Sequence, residues 1–139
     1  AKRDAAFKQQ QEDARILRLY SSAHDAELAR NRLFDTLETS IGYNSLQLQR
    51  IKRLRANFVG DAALAERKSQ TPTAKLKDQI SNYDKQINDL QALIDYQRTE
   101  QAKVKNDFVP IIKRLTELEK TPTATATATQ KSAFDVSPP

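Results

Sequence analysis

The hydrophobic pattern between residues 76 and 118 constrains this chain more than any other feature. Leu76, Ile80, Tyr83, Ile87, Leu90, Ile94, Gln97, Gln101, Val104, Phe108, Ile111, Leu115 and Leu118 follow one another in alternating steps of four and three. Only Gln97 and Gln101 break the apolar run. A step averaging about 3.5 residues sets these side chains in one narrow stripe down a helix, and such a stripe calls for a partner helix. A helix carrying it would extend roughly 65 Å at about 1.5 Å per residue. The expected object is a rod, a shape that seldom encloses a catalytic pocket.

The partner lies upstream. Phe34, Leu37, Ile41, Asn44, Leu48, Ile51, Arg55, Phe58, Ala62 and Ala65 keep the same step, which predicts a helix from about Ala23 to about Lys68. Gly42 and Gly60 lie off this stripe, weaken the helix by about 1 kcal/mol each relative to alanine, and are candidate bends. Lys68–Ser69–Gln70–Thr71–Pro72 reads as the turn, with Thr71 as N-cap and Pro72 at the first helical position, where its missing N–H costs nothing. The second helix then runs to about Lys120, and Pro110 inside it predicts a kink. A short turn forces the two helices antiparallel. Residue i of the first comes level with about residue 141 − i of the second. Ile51 then meets Leu90, Phe58 meets Tyr83, and Asn44 meets Gln97 with Gln101 one turn away. These three amides form a candidate register-setting polar layer, because a slipped amide facing leucine loses its partner at about 1–3 kcal/mol.

The ends of the chain read differently. Residues 1–20 are rich in Ala, Lys, Gln and Arg and predict a short helix with a weak stripe of Phe7, Ala14 and Leu17. It either joins the next helix through a kink or stands alone. Ser22 and Asp25 have the spacing of a capping box. Residues 121–139 are a low-complexity Thr/Ala/Pro segment with almost no apolar mass to offset ordering, so disorder is expected there. The expected fold is therefore all-α: a 1–20 helical segment, a long antiparallel two-helix coiled-coil hairpin over 22–120 with its turn near 68–72, and a disordered tail over 121–139.

Composition agrees with helix seams rather than a thick core. Of the 139 residues, 38% are hydrophobic and 6% aromatic, with two glycines to punctuate a sheet. Strands are not expected. There is no cysteine, which excludes disulfides, thiol catalysis and cysteine-ligated zinc. No apolar run reaches the roughly 18 residues of a membrane span. The chain does not begin with methionine, which a removed signal peptide or trimming would explain.

The net charge of +5 is spread with both signs interspersed, the pattern of a solvated helical surface. Arg50, Lys52, Arg53 and Arg55 form the densest basic patch. They could grip phosphate or an anionic glycan or lipid, but Asp84, Asp89 and Asp95 on the facing arm could pair with them, and that structural reading is the favoured one. Nucleic acid is not the expected partner, since the basic residues lie inside the apolar repeat and not in a separate block before it. His24 has no companion ligand for a metal. No cofactor is expected, and no catalytic constellation is found. Leu33, Tyr43, Leu46, Leu54, Leu93, Tyr96, Val109 and Ile112 lie off the main stripes; a homodimer of hairpins would cover them.

Leu17–Arg18–Leu19–Tyr20–Ser21–Ser22, then Asp25, then Ala29–Arg30–Asn31–Arg32, resembles a recurrent segment of uncharacterised Gram-negative envelope proteins. These look like a signal peptide, a small N-terminal domain and a C-terminal coiled-coil hairpin. The Phe108 and Leu115-to-Leu118 pattern is similar to that family's closing helix. The resemblance covers about residues 3–120; the small domain and a lipobox cysteine are not in this chain. It implies a periplasmic or envelope location and no known activity. It also marks Tyr20, Ser22, Asp25, Arg30 and Arg32 as a candidate junction. The expected function is a non-enzymatic spacer or scaffold that engages a protein partner. A polyanion-binding coiled coil is the alternative, and a prefoldin-like holdase a further one, though Lys68 to Thr73 offers no apolar clamp.

Overall fold

A computed structural model of the chain describes residues 1–121. The tail read as disordered therefore lies outside the described residues, apart from Thr121. All regular structure among the described residues is helical: α1 (Lys2–Leu19), α2 (Ala23–Arg67) and α3 (Ala74–Lys120), with no strand.

The breaks between helices have local causes. α1 stops because Tyr20 turns to an extended conformation, φ −138° and ψ 122°, while its N–H still bonds the Ile16 carbonyl. Residues 1–20 thus form a helix of their own. Ser22 then opens α2: its Oγ accepts from the Asp25 N–H at 3.1 Å. The Asp25 carboxylate accepts from the Ser21 hydroxyl, so the capping box is made in one direction only. The free N–H of Ala23 is taken by Glu119 Oε1 of α3 at 2.8 Å. An orphan donor of a helix start is thereby satisfied from another helix.

At its other end α2 closes with the Schellman pattern. The Gln70 N–H bonds the Ala65 carbonyl and the Ser69 N–H bonds the Glu66 carbonyl. Ser69 occupies the left-handed position, at φ 55°. The start of α3 departs from the sequence expectation. The N-cap is Thr73, whose Oγ1 accepts from the Leu76 N–H at 3.1 Å. Thr71 and Pro72 precede the helix. Both threonines are competent caps beside a proline. Thr73 is the one followed at once by the apolar register beginning at Leu76.

α2 runs unbroken through Gly42 and Gly60, both exposed and both at negative φ. α3 likewise continues through Pro110. Proline has no N–H for the carbonyl four residues back, here that of Asn106. Pro110 is exposed, as is Asn106.

The chain packs as two units, each with its own core. Among the described residues, one comprises Ala1–Arg32 and Val104–Thr121; the other is Leu33–Lys103. In the first, Ile16, Ala23, Ala26, Phe108 and Leu115 are buried together, with Tyr20 and Ile111 packed around them. Ala26 is wholly buried, and a side chain that small lets helices approach closely. α1 does not pack through the weak Phe7, Ala14 and Leu17 stripe, all three being exposed. Ile16 is the buried residue, at 3% exposure. The inward face of α1 holds Asp13 and Ile16, with the extended Tyr20 just past the helix end packed beside them, and Leu17 falls off that face. In the second unit Ile41, Leu48 and Ile94 are buried, with Ile87 and Leu90 against them. Burying such side chains contributes about 1.5–3 kcal/mol each.

Candidate functional site

Three places in the chain carry the residues singled out by sequence. The first is the amide layer in the Leu33–Lys103 unit. Asn44, Gln97 and Gln101 are all buried, at 9%, 9% and 7% exposure. Asn44 Nδ2 donates to Gln97 Oε1 at 3.0 Å, and Gln97 Nε2 donates to Ser40 Oγ at 2.6 Å. Gln101 turns the other way. Its Nε2 donates to Glu38 Oε2 at 2.7 Å and to the Phe34 carbonyl at 3.4 Å. No buried side-chain nitrogen or oxygen among the described residues lacks a partner. The layer thus binds α2 to α3 through five residues and a backbone carbonyl. Ser40 and Glu38 were missed by the sequence reading. Their signal was position: each sits on one shoulder of the α2 stripe, where a polar side chain can reach a buried amide.

The second place is the α1–α2 corner. Tyr20 and Phe108 meet with ring centroids 5.6 Å apart at 57°, a tilted pair that favours edge against face. Tyr20, Asp25 and Arg32 line one shallow surface cleft of about 440 Å³ with Leu17, Ser21 and Leu28. Ser22 serves as the cap. Arg30 does not join them: its guanidinium donates to the neighbouring Asn31 side chain. The candidate junction is therefore a helix corner with one aromatic anchor.

An ion pair absent from the sequence reading secures the same unit. Arg114 grips Asp13 with two bonds, Nε to Oδ1 at 2.8 Å and Nη2 to Oδ2 at 2.9 Å, and reaches Glu117 with Nη1 at 3.1 Å. The bond from Arg114 holds the Asp13 carboxyl below its usual range, against partial burial, which pushes it up. Asp13 in turn, with Glu117, raises the Arg114 guanidinium. Nothing in the sequence links two residues so far apart. Beside this pair lies an open cleft of about 650 Å³ between α1 and α3. Glu12, Arg15, Asp107 and Lys113 give its walls both signs of charge.

The third place is the basic patch. Arg55 Nε donates to Asp84, and both groups are partly exposed. Arg50, Lys52 and Arg53 are exposed, and no described residue forms an ion pair with them. Of the three aspartates on the facing arm, only Asp84 reaches an arginine. Phe58 and Tyr83 stack nearby, with ring centroids 5.5 Å apart. His24 is exposed, and no group of three His, Cys, Asp or Glu among the described residues could hold a metal ion. No described helix is long and apolar enough to cross a membrane.

No family model, curated protein or solved structure matches the chain. What the site can do follows from its own chemistry. Its buried polar groups are used to fix one helix against another.

Proposed function

We propose that α2 and α3 form an antiparallel coiled-coil hairpin and that the protein is a structural spacer or scaffold of a Gram-negative envelope, acting without catalysis. The observation that carries the reading is the Asn44–Gln97 hydrogen bond. It joins the amide of one 4-3 stripe to an amide of the other, at the level that opposed helices require. The Phe58–Tyr83 stack and the Arg55–Asp84 pair fall in the same register. A buried amide pair costs stability relative to leucine but penalises every slipped alignment. That trade suits a part whose geometry is its function. The envelope location rests on the resemblance around Tyr20, Ser22 and Asp25, residues that cap and anchor the α1–α2 corner.

Small-angle X-ray scattering of the purified chain, paired with fractionation of the native cells, tests both parts. An elongated scatterer recovered with periplasmic or envelope markers is the expected result. A compact particle would defeat the hairpin, and a cytosolic protein would defeat the location.

The polyanion-binding alternative is favoured by one observation: Arg50, Lys52 and Arg53 are solvent-facing and lack ion-pair partners among the described residues. Binding through them would weaken steeply with salt.

A further inference from the structure

The amide layer has two flanks, and one of them continues into an apolar surface. On that flank Gln97 meets Ser40. From Ser40, steps of three and four along α2 lead to Tyr43, Gln47, Arg50 and Leu54. From Lys103 back along α3, the same steps lead through Glu100, Tyr96 and Leu93 to Asp89. In opposed helices these two rows share one face, since the flank beside Ser40 and Gln97 is common to both. Its centre is large and apolar: Tyr43 is 64% exposed, Tyr96 62%, and Leu46 on its shoulder 66%. Leu93 adds a further 42%. Its ends are charged, and none of Arg50, Asp89, Glu100 and Lys103 has an ion-pair or hydrogen-bond partner through its side chain within the described chain.

The order of those charges identifies the occupant. Asp89 and Lys103 lie seven residues to either side of Tyr96. A two-fold axis crossing the face at Tyr96 lays α3 over its own copy in the opposite direction. It then sets Asp89 of each chain on Lys103 of the other and stacks Tyr96 on Tyr96. The same operation brings Arg50 level with the second copy's Glu100. Asp89 and Lys103 thereby meet their opposites, and Arg50 and Glu100 come to the same level on neighbouring helices, around an apolar centre. That is the self-complementarity a two-fold interface demands, with a polar rim around an apolar core.

We propose that this face is the interface of a homodimer in which two hairpins pack face to face and antiparallel, α2 over α2 and α3 over α3, about an axis at Tyr96. The proposal rests on the antiparallel hairpin reading.

Sedimentation equilibrium of the full chain, with helicity followed by circular dichroism, tests it through charge reversal. Wild type is expected to be a concentration-dependent dimer. Asp89→Lys and Lys103→Asp, each exposed and unpaired among the described residues, are expected to weaken association at least about tenfold with helicity unchanged. The double variant D89K/K103D is expected to restore it, because each chain then supplies both reversed charges. A wild-type monomer at all concentrations would overturn the proposal. So would a double variant as weak as the singles, as a parallel arrangement of the hairpins would give. The hairpin itself is checked separately in a Lys52→Cys/Gln91→Cys variant, which places the only two thiols of the chain on the other flank. A short bis-maleimide is expected to link them within one chain at high dilution. Intrachain linkage with failed charge reversal would sink the dimer alone, whereas absence of intrachain linkage would sink the hairpin and the dimer with it.

Discussion

Ser69 shows how much a single residue can hold at the end of a helix. The Schellman closure of α2 needs a left-handed residue after the helix, and this chain places serine there at φ 55°. An L-residue with a Cβ meets the following carbonyl in that conformation, at about 1–2 kcal/mol; glycine does not. Glycine also enlarges the unfolded ensemble, which returns part of that gain. Ser69→Gly is therefore expected to stabilise the protein by roughly 0.5–1 kcal/mol. Chemical denaturation would read this as a higher midpoint at unchanged slope, and an unchanged or lower midpoint would refute it. The same region shows what sequence could and could not reveal. The turn at Lys68–Pro72 was legible because the two stripes stop there. The choice between Thr71 and Thr73 as cap was not, since local chemistry permits both and the packing of the first α3 turn decides.

At the scale of elements, α1 is the helix whose placement sequence could not give. Its composition predicts a helix, but its inward face is a narrow seam of Ile16 flanked by Asp13 and Tyr20. A hydrophobic count favours Phe7 and Leu17, which are exposed. The long stripes of α2 and α3 were legible because their period repeats many times; α1 offers a single apolar contact and an ion pair. That pair gives α1 a pH dependence with a definite sign. The Arg114 bond depresses the Asp13 carboxyl in the folded state below the ordinary aspartate value of 3.8. A depressed carboxyl contributes stability that is complete above the unfolded value and is lost as pH falls through the folded one. The docking of α1 is thus expected to hold at neutral pH and to loosen as pH falls below about 3.8. Amide hydrogen exchange across Lys2–Leu19 would follow it. In Asp13→Asn the same amides are expected to exchange faster at neutral pH, with the acid-dependent step at this site removed. Equal acid sensitivity in the variant and the wild type would assign the step to other carboxylates.

For the molecule as a whole, the amide layer decides between stability and uniqueness. Asn44, Gln97 and Gln101 were legible as the polar positions of two apolar repeats. That Gln101 turns away from Asn44 toward Glu38 was not, because side-chain direction depends on shoulder residues that carry no periodic signal. Replacing Asn44 alone with leucine leaves Gln97 buried beside a side chain that cannot bond it, and should cost about 1–3 kcal/mol. Replacing Asn44, Gln97 and Gln101 together by leucine leaves no buried amide without a partner and makes the seam apolar at all three positions, while Ser40 and the exposed Glu38 lose their amide partners. The triple variant is therefore expected to melt at a higher temperature than wild type. Under the proposed hairpin reading it also loses the buried polar feature that distinguishes one alignment of the stripes from another one heptad away. Helices that can slip can also pair between chains, so sedimentation of the triple variant should show a mixture of masses where wild type shows a single association scheme. A triple variant that is both more stable and as uniform as wild type would mean that register is set elsewhere, by the Phe58–Tyr83 stack and the Arg55–Asp84 pair or by the constraint of the α2–α3 turn. A triple variant that is less stable would mean that Ser40 and Glu38, left without their amide partners, lose more than the apolar seam gains.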